Sequence, residues 1–131
     1  MRQWVVRVVQ GLLAIAFIAF GISHAFALEE TRKQVPWTND VSAQLLFLIG
    51  LAELAGAAGL VLSAAKALRW AAPSAAIGLV ALMTLALVFH VGRGELTNAV
   101  FNMVLGGLAA LVAYARRSAL PWPRAVAAPA R

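Results

Sequence analysis

The sequence predicts an all-α membrane protein, a four-helix up-down transmembrane bundle with both termini in the cytoplasm. Of its 131 residues, 63% are hydrophobic and only 12% are charged, which is too much apolar surface for one soluble core. The apolar residues fall into four stretches, each close to the ~20 residues that a membrane helix needs. Short links join several of these stretches, so we expect residues 1–131 to form a single transmembrane domain.

The four predicted spans cover residues 5–28, 41–65, 70–91 and 96–115. The links "AKALR" and "VGRGEL" are short enough to force the helices that they join to run antiparallel. The first span also resembles a signal peptide, because a basic start and an apolar run precede the sequence "AFALEE". Its length favours a retained helix, and cleavage stays an open alternative. Residues 118–131 are rich in proline and predict a flexible basic tail.

The Lys and Arg residues predict the orientation. An excess of these residues marks the cytoplasmic side of a membrane protein, and here eight lie on the side of the termini against three on the other. The eight are Arg2, Arg7, Lys66, Arg69, Arg116, Arg117, Arg124 and Arg131, and the three are Arg32, Lys33 and Arg93. Because they lie at segment ends rather than on one stripe, they do not indicate a nucleic-acid partner.

Glu53 is the most informative residue of the spans. It lies at the centre of the apolar stretch "LIGLAELAGAAGL", residues 48–60. An ionised acid at the bilayer centre costs at least ~2.5 kcal/mol, so the carboxyl group must be protonated, paired or in contact with water. His24, His90 and Asn102 are its candidate partners. The glycines and alanines around it predict close helix packing. We therefore expect Glu53 to hold or pass a proton.

Further polar residues lie in the half of the membrane that is predicted to face outward. Asn98 and Asn102 are four positions apart and share one helix face. The predicted ligand-binding residues are His24, Trp37, Gln44, Asn98 and Asn102, and the predicted catalytic residues are Glu53 and His90. An alternative is that the asparagines only bond neighbouring helices and that His90 is an interfacial residue.

Metal and haem chemistry are not indicated. The chain has no cysteine, which excludes thiolate metal sites and cysteine-ligated iron–sulfur clusters. Two histidines on facing helices could in principle ligate a b-type haem, and His, His and Glu could hold a metal ion. Nothing in their spacing requires either, so we predict no metal site and consider haem unfavoured.

Four sequence runs carry a family resemblance. They are "GISHAF", "GLAELAGAAGLVL", "ALMTLALVFHVGRGE" and "NAVFNMVLGGLAALVAY", in this order and all within residues 10–115. Together they resemble the DoxX-like family of small four-helix membrane proteins. The family commonly has Lys after the Gly-x-Ser of the first run, where this chain has His24. Glu53, His90 and Asn102 match the family's polar positions in the other three helices.

The resemblance implies a link to quinone chemistry, because the family is named for membrane subunits of a thiosulfate:quinone oxidoreductase. We expect a multi-pass subunit in the cytoplasmic (inner) membrane of a bacterium or archaeon, in contact with lipids. His24 or His90 would hydrogen-bond a dissociable quinone, Asn98 or Asn102 would orient it, and Glu53 would donate or accept the proton. The electrons would come from an oxidoreductase partner subunit or a dissociable reductant.

Other functions stay open at this point. The chain could be a non-enzymatic scaffold or a lipid-binding accessory subunit, with the polar residues serving as interhelical contacts. Proton-coupled export of a small compound is a third possibility, and it would require a homo-oligomer. Whether the chain turns over a substrate is not decided by its sequence.

Overall fold

The structure is a computed structural model that describes residues 2–121, and all of its regular secondary structure is helical. The helices are α1 (Gln3–Phe26), α2 (Leu28–Gln34), α3 (Ala43–Leu62), α4 (Ala71–Gly92) and α5 (Leu96–Arg116), with short 3₁₀ turns at Pro36–Asp40, Lys66–Leu68 and Arg117–Ala119. Within these residues there is no β-strand. The predicted flexible tail falls, from residue 122 onward, outside the described part of the chain.

Four of the helices, α1, α3, α4 and α5, are long and apolar enough to cross a membrane. They form a closed bundle in which α1 packs against α3 and α5, while α4 packs against α3 and α5. Phe17, Leu60, Leu79 and Val112 are buried at its centre, and apolar side chains such as Leu85 are exposed on its outside. The predicted fold class, a transmembrane four-helix bundle, is therefore confirmed. The cytoplasmic position of the termini stays a prediction.

Glycines determine how closely α3 approaches its neighbours. A Cβ atom added to Gly50 would lie 2.6 Å from the backbone nitrogen of Ala25 and 2.8 Å from the carbonyl oxygen of Gly21, both on α1. On another face of α3, a Cβ on Gly56 would lie 2.5 Å from Leu79 of α4. Backbones come this close only where side chains are absent. The small-residue pattern around Glu53 thus marks two helix contacts.

The connection between α1 and α3 is ordered by its own hydrogen bonds. It lies between the first two predicted spans and contains α2 and a 3₁₀ turn. Thr31 Oγ1 donates to the carbonyl oxygen of Ser23 on α1 at 2.7 Å, and Arg32 Nη2 donates to that of Val41 at 2.9 Å. Ser42 then caps α3 by accepting a hydrogen bond from the backbone nitrogen of Leu45.

The two ends of the bundle are named by what they contain. The loop end contains residues 27–42 and 93–95, and the opposite end is called the terminal end.

The close approach of α1 and α3 makes Gly50 sensitive to substitution. We expect Gly50→Ala to lower the free energy of unfolding by about 1–3 kcal/mol, because the added methyl group overlaps the backbone of α1. Gly78→Ala is the matched control in α4, since a Cβ at Gly78 meets nothing within 4 Å. It should leave stability unchanged or raise it by up to ~1 kcal/mol through helix propensity. Unfolding in detergent would measure both, and equal effects of the two variants would contradict this assignment.

Candidate functional site

Glu53 of α3 is paired with His24 of α1. Glu53 is only 3% exposed, and its Oε2 lies 2.7 Å from His24 Nδ1. Glu53 is one turn from Gly50 and His24 is one turn from Gly21, so the closest approach of the two backbones lies between the paired residues. Of the three partners considered from the sequence, His24 is the one that the structure places in hydrogen-bond contact.

The direction of the side chains explains how residues at different depths meet. Along the bundle, α1 runs toward the loop end and α3 runs away from it, so His24 lies nearer the loop end than Glu53. Side chains of a helix lean toward its N-terminus. His24 therefore leans down toward the membrane centre while Glu53 leans up toward the loop end. The difference in depth is closed without a water molecule or a ligand.

His90 of α4 has a different acidic partner, Glu95, which directly precedes α5. Glu95 Oε2 lies 2.5 Å from His90 Nδ1, and Glu95 Oε1 accepts a hydrogen bond from Arg93 Nε at 2.8 Å. The chain reverses direction at Gly94, whose φ of 71° is in the left-handed region that favours glycine. Arg93 also donates to Asp40 of the 3₁₀ turn at 2.7 Å. This network connects the α4–α5 turn to the segment between α1 and α3.

Glu95 is held in its charged form by these contacts. The hydrogen bond from Arg93, followed by that from His90, lowers the pKa of Glu95 from 4.5 to about 2. The same contact with Glu95, together with Asp40, raises the pKa of Arg93. An ionised carboxylate only accepts hydrogen bonds, so His90 Nδ1 must be the donor to Glu95.

Trp37 lies between the two histidines. Its ring centroid is 5.6 Å from that of His24 and 5.4 Å from that of His90, in edge-to-face arrangements. Phe89 extends this aromatic group, at 6.1 Å from Trp37 and 5.2 Å from His90. The two His–Glu pairs therefore share one aromatic wall.

A cavity of about 470 Å³ lies beneath Trp37 and is lined by His24 and Glu53 of one pair and by His90 of the other. Six of the seven site residues predicted from sequence line it: His24, Trp37, Glu53, His90, Asn98 and Asn102. Most other lining residues are apolar, from all four membrane helices. Asn102 Nδ2 donates to the backbone oxygen of Asn98 at 2.8 Å. This amide donor is therefore used for a hydrogen bond within α5.

Gln44 does not line this cavity. It is exposed in the first turn of α3, nine positions before Glu53. Nine residues correspond to two and a half turns of an α-helix, which puts the two side chains on opposite faces. The helical periodicity of the α3 sequence was therefore a sufficient signal to exclude Gln44 from the predicted site.

The charged network next to His90 was not predicted from the sequence. Glu95 follows His90 by five positions, and a charged residue this close to a histidine across a Gly-containing turn was an available signal. The pairing of Arg93 with Asp40 had no such signal, because 53 positions separate them. Among residues 2–121, no group of three or more His, Cys, Asp or Glu side chains could hold a metal ion.

Comparison with known proteins supports the resemblance seen in the sequence. A sequence profile of the DoxX-like family matches residues 8–112. The chain belongs to the DoxX-like family. All residues that line the cavity fall within the matched segment of this DoxX-like protein. The comparison with curated proteins and that with solved structures each gave no match. Together with its four apolar helices, the family makes this chain a multi-pass membrane protein.

The His24–Glu53 contact predicts energetic coupling between the two residues. Removing either partner leaves a buried polar group unpaired, at a cost of roughly 1–3 kcal/mol. In a double-mutant cycle with His24→Gln and Glu53→Gln, we expect a coupling energy of roughly 1–2 kcal/mol. The matched control pairs His24→Gln with Glu95→Gln, which combines the same residue types without a contact and should be additive. Additivity in the first cycle would rule out the interaction.

The lowered pKa of Glu95 predicts a pH-dependent contribution to stability. A carboxyl group whose pKa falls on folding stabilises the protein above its ordinary pKa of 4.5, and this stabilisation is lost as pH falls toward about 2. Wild type should therefore be more stable than Glu95→Gln at pH 7, and the difference should disappear near pH 2. Thermal unfolding of wild type and Glu95→Gln between pH 7 and pH 2 would measure this difference in stability. Glu29→Gln is the control for the loss of an exposed charge. A difference that is the same at pH 7 and pH 2 would contradict the assignment.

Proposed function

We propose that this DoxX-like protein is a membrane subunit linked to quinone-type redox chemistry. In this proposal it binds a lipophilic ring compound in the cavity beneath Trp37, and Glu53 donates or accepts a proton. The observation that carries the proposal is the convergence of two His–Glu pairs on one mainly apolar cavity. The cavity volume of about 470 Å³ is within the range of roughly 300–1,000 Å³ that is typical of small-molecule sites.

The cavity walls suit a flat, apolar ring. Aromatic side chains of Phe20, Trp37, Phe89 and Phe101 line it, and such walls favour contact with another ring. Phe101 is 50% exposed, so the lining continues onto the outer surface of the bundle. On a membrane-spanning bundle this surface faces lipid. A lipid-soluble compound would therefore reach the cavity directly from the bilayer.

The polar residues of the cavity fit a quinone. When bound, a quinone supplies the capacity to take up two electrons and two protons. His24 uses Nδ1 for Glu53, and His90 uses Nδ1 for Glu95, which leaves Nε2 of each ring for the ligand. A ring that carries its only proton on Nδ1 accepts a hydrogen bond at Nε2 from a quinol hydroxyl, whereas a doubly protonated ring donates one to a quinone oxygen. The Asn98 side chain, which lines the same cavity, would orient the ring.

The two pairs are suited to different tasks. Glu95 is fixed as an anion by Arg93, so the pair His90–Glu95 serves best to hold and orient. Glu53 is buried and has His24 as its hydrogen-bond partner. A proton between Nδ1 of His24 and Oε2 of Glu53 can move with little displacement of either side chain. His24 and Glu53 therefore form the proton-exchanging pair of the proposed site.

The source of electrons lies outside the cavity in this proposal. We propose an oxidoreductase partner subunit or a dissociable reductant, acting at the inner membrane of a bacterium or archaeon. A homo-oligomer is compatible with the extensive apolar surface of α1, where Leu12 and Ile15 are exposed.

Binding of quinone analogues tests the proposed function. Soluble ubiquinone and menaquinone analogues should raise the Tm of wild type, since ligand binding stabilises the folded state. His24→Leu and His90→Leu should each weaken binding about tenfold, the equivalent of one hydrogen bond. Gln44→Leu is the control and should bind as wild type does, because Gln44 lies outside the cavity. Glu53→Gln should still bind the analogues, because Glu53 is proposed to exchange a proton rather than to hold the ring.

Two results would overturn the proposal. One is the absence of any rise in Tm with either analogue, which would favour a scaffold or a lipid-binding accessory subunit. The other is a loss of affinity in Gln44→Leu as large as that in the two histidine variants. That result would show that the analogues bind elsewhere on the protein.

A further inference from the structure

A second cavity, of about 740 Å³, lies at the terminal end of the bundle. Four basic residues line it, and they come from separate parts of the fold: Arg7 from α1, Lys66 and Arg69 from the α3–α4 connection, and Arg116 from α5. The other lining residues are polar or apolar, and none is acidic. The proposed quinone site does not use this cavity.

The positive charge at this end is not compensated by acidic side chains. The chain has only five Asp and Glu residues. Glu29, Glu30, Asp40 and Glu95 belong to the loop end, and Glu53 pairs with His24 in the bundle. A basic terminal end is sufficient to orient the protein in the membrane. Orientation alone, however, does not require the basic side chains to surround a cavity.

Two buried polar atoms of the cavity lining lack a partner among residues 2–121. One is Arg116 Nε, a donor, and the other is Gln10 Oε1, an acceptor. The orientation of the Gln10 amide is fixed, because its Nε2 donates to the backbone oxygen of Leu60 at 2.7 Å and to Ser63 Oγ at 2.8 Å. Buried polar groups are normally hydrogen-bonded. With a small shift of either side chain, the lining would offer one donor to an anion and one acceptor to a hydroxyl group.

We propose that this cavity binds a phosphate ester that also carries a hydroxyl group. The phosphate would lie among the four basic side chains and accept a hydrogen bond from Arg116 Nε, and the hydroxyl would donate to Gln10 Oε1. The glycerol phosphate headgroup of an anionic membrane lipid has this chemistry, and so has a water-soluble glycerol or sugar phosphate. Basic pockets between membrane helices are suited to anionic headgroups.

Ligand-dependent stability of the full chain in neutral detergent tests this inference. Phosphatidylglycerol should raise the Tm more than phosphatidylcholine, which has no net charge and no headgroup hydroxyl. Phosphatidic acid, a phosphate without the headgroup hydroxyl, should have an intermediate effect. Glycerol phosphate added in solution distinguishes the sources. A rise in Tm with the lipid alone assigns the site to a lipid, and a rise with glycerol phosphate assigns it to soluble phosphates.

Charge-matched variants separate the cavity from the general basic surface. Arg7→Gln combined with Lys66→Gln removes two cations of the lining and should weaken binding of phosphatidylglycerol about thirtyfold. Arg2→Gln combined with Arg117→Gln removes two cations that lie at the same end but do not line the cavity. This pair should change the affinity for phosphatidylglycerol less than about threefold. Both pairs replace exposed side chains, so the fold should be retained.

Gln10→Leu tests the hydroxyl contact. It should remove the preference for phosphatidylglycerol over phosphatidic acid while phosphatidic acid still binds.

The inference is overturned if both charge-matched pairs weaken binding equally, since the effect would then be one of surface charge. It is also overturned if no phosphate compound raises the Tm above the value in phosphatidylcholine. Neither result bears on the quinone site, because the two cavities share no residue.

Discussion

A carboxyl group in a membrane bundle needs a partner, and the contact of Glu53 with His24 supplies it. The contact depends on how closely α1 and α3 approach each other, which in turn depends on Gly21 and Gly50. A larger residue at either glycine would separate the backbones and pull the pair apart. Packing and chemistry are therefore linked, because the helix contact that stabilises the bundle also positions a buried carboxyl group.

The segment between α1 and α3 completes the site from the loop end. Trp37 contacts both histidines, and the ion pair of Asp40 with Arg93 connects this segment to the α4–α5 turn. The two His–Glu pairs consequently differ in their surroundings. The pair with Glu95 is part of a network of charges near the membrane surface, whereas the pair with Glu53 is enclosed by apolar side chains. One chain thus holds two chemically similar pairs that are suited to different roles.

Much of the fold could be predicted from sequence because hydropathy and small-residue patterns are local signals. The four spans and the packing face around Glu53 follow from them, and six residues of the cavity were among the site residues predicted from sequence. The partner of Glu53 could not be chosen in this way, because it depends on the lean of side chains in antiparallel helices. His90 was considered as a partner for Glu53, yet the tight turn at Gly94 brings it to Glu95. Gln44 was included for its depth, although helix periodicity places it on another face.

Acidic and basic residues are concentrated at opposite ends of the bundle. Four of the five acidic residues belong to the loop end, while the basic cavity occupies the terminal end. If the excess of Lys and Arg places the terminal end in the cytoplasm, the cavity beneath Trp37 lies in the outer half of the membrane. His24 and Glu53 would then exchange protons with the outer side, because the residues between them and the terminal end are mainly apolar. Under that orientation, oxidation of a bound quinol would release protons outward, whereas an inverted bundle would release them into the cytoplasm. The orientation of the chain therefore decides on which side of the membrane the proposed reaction would release or take up its protons.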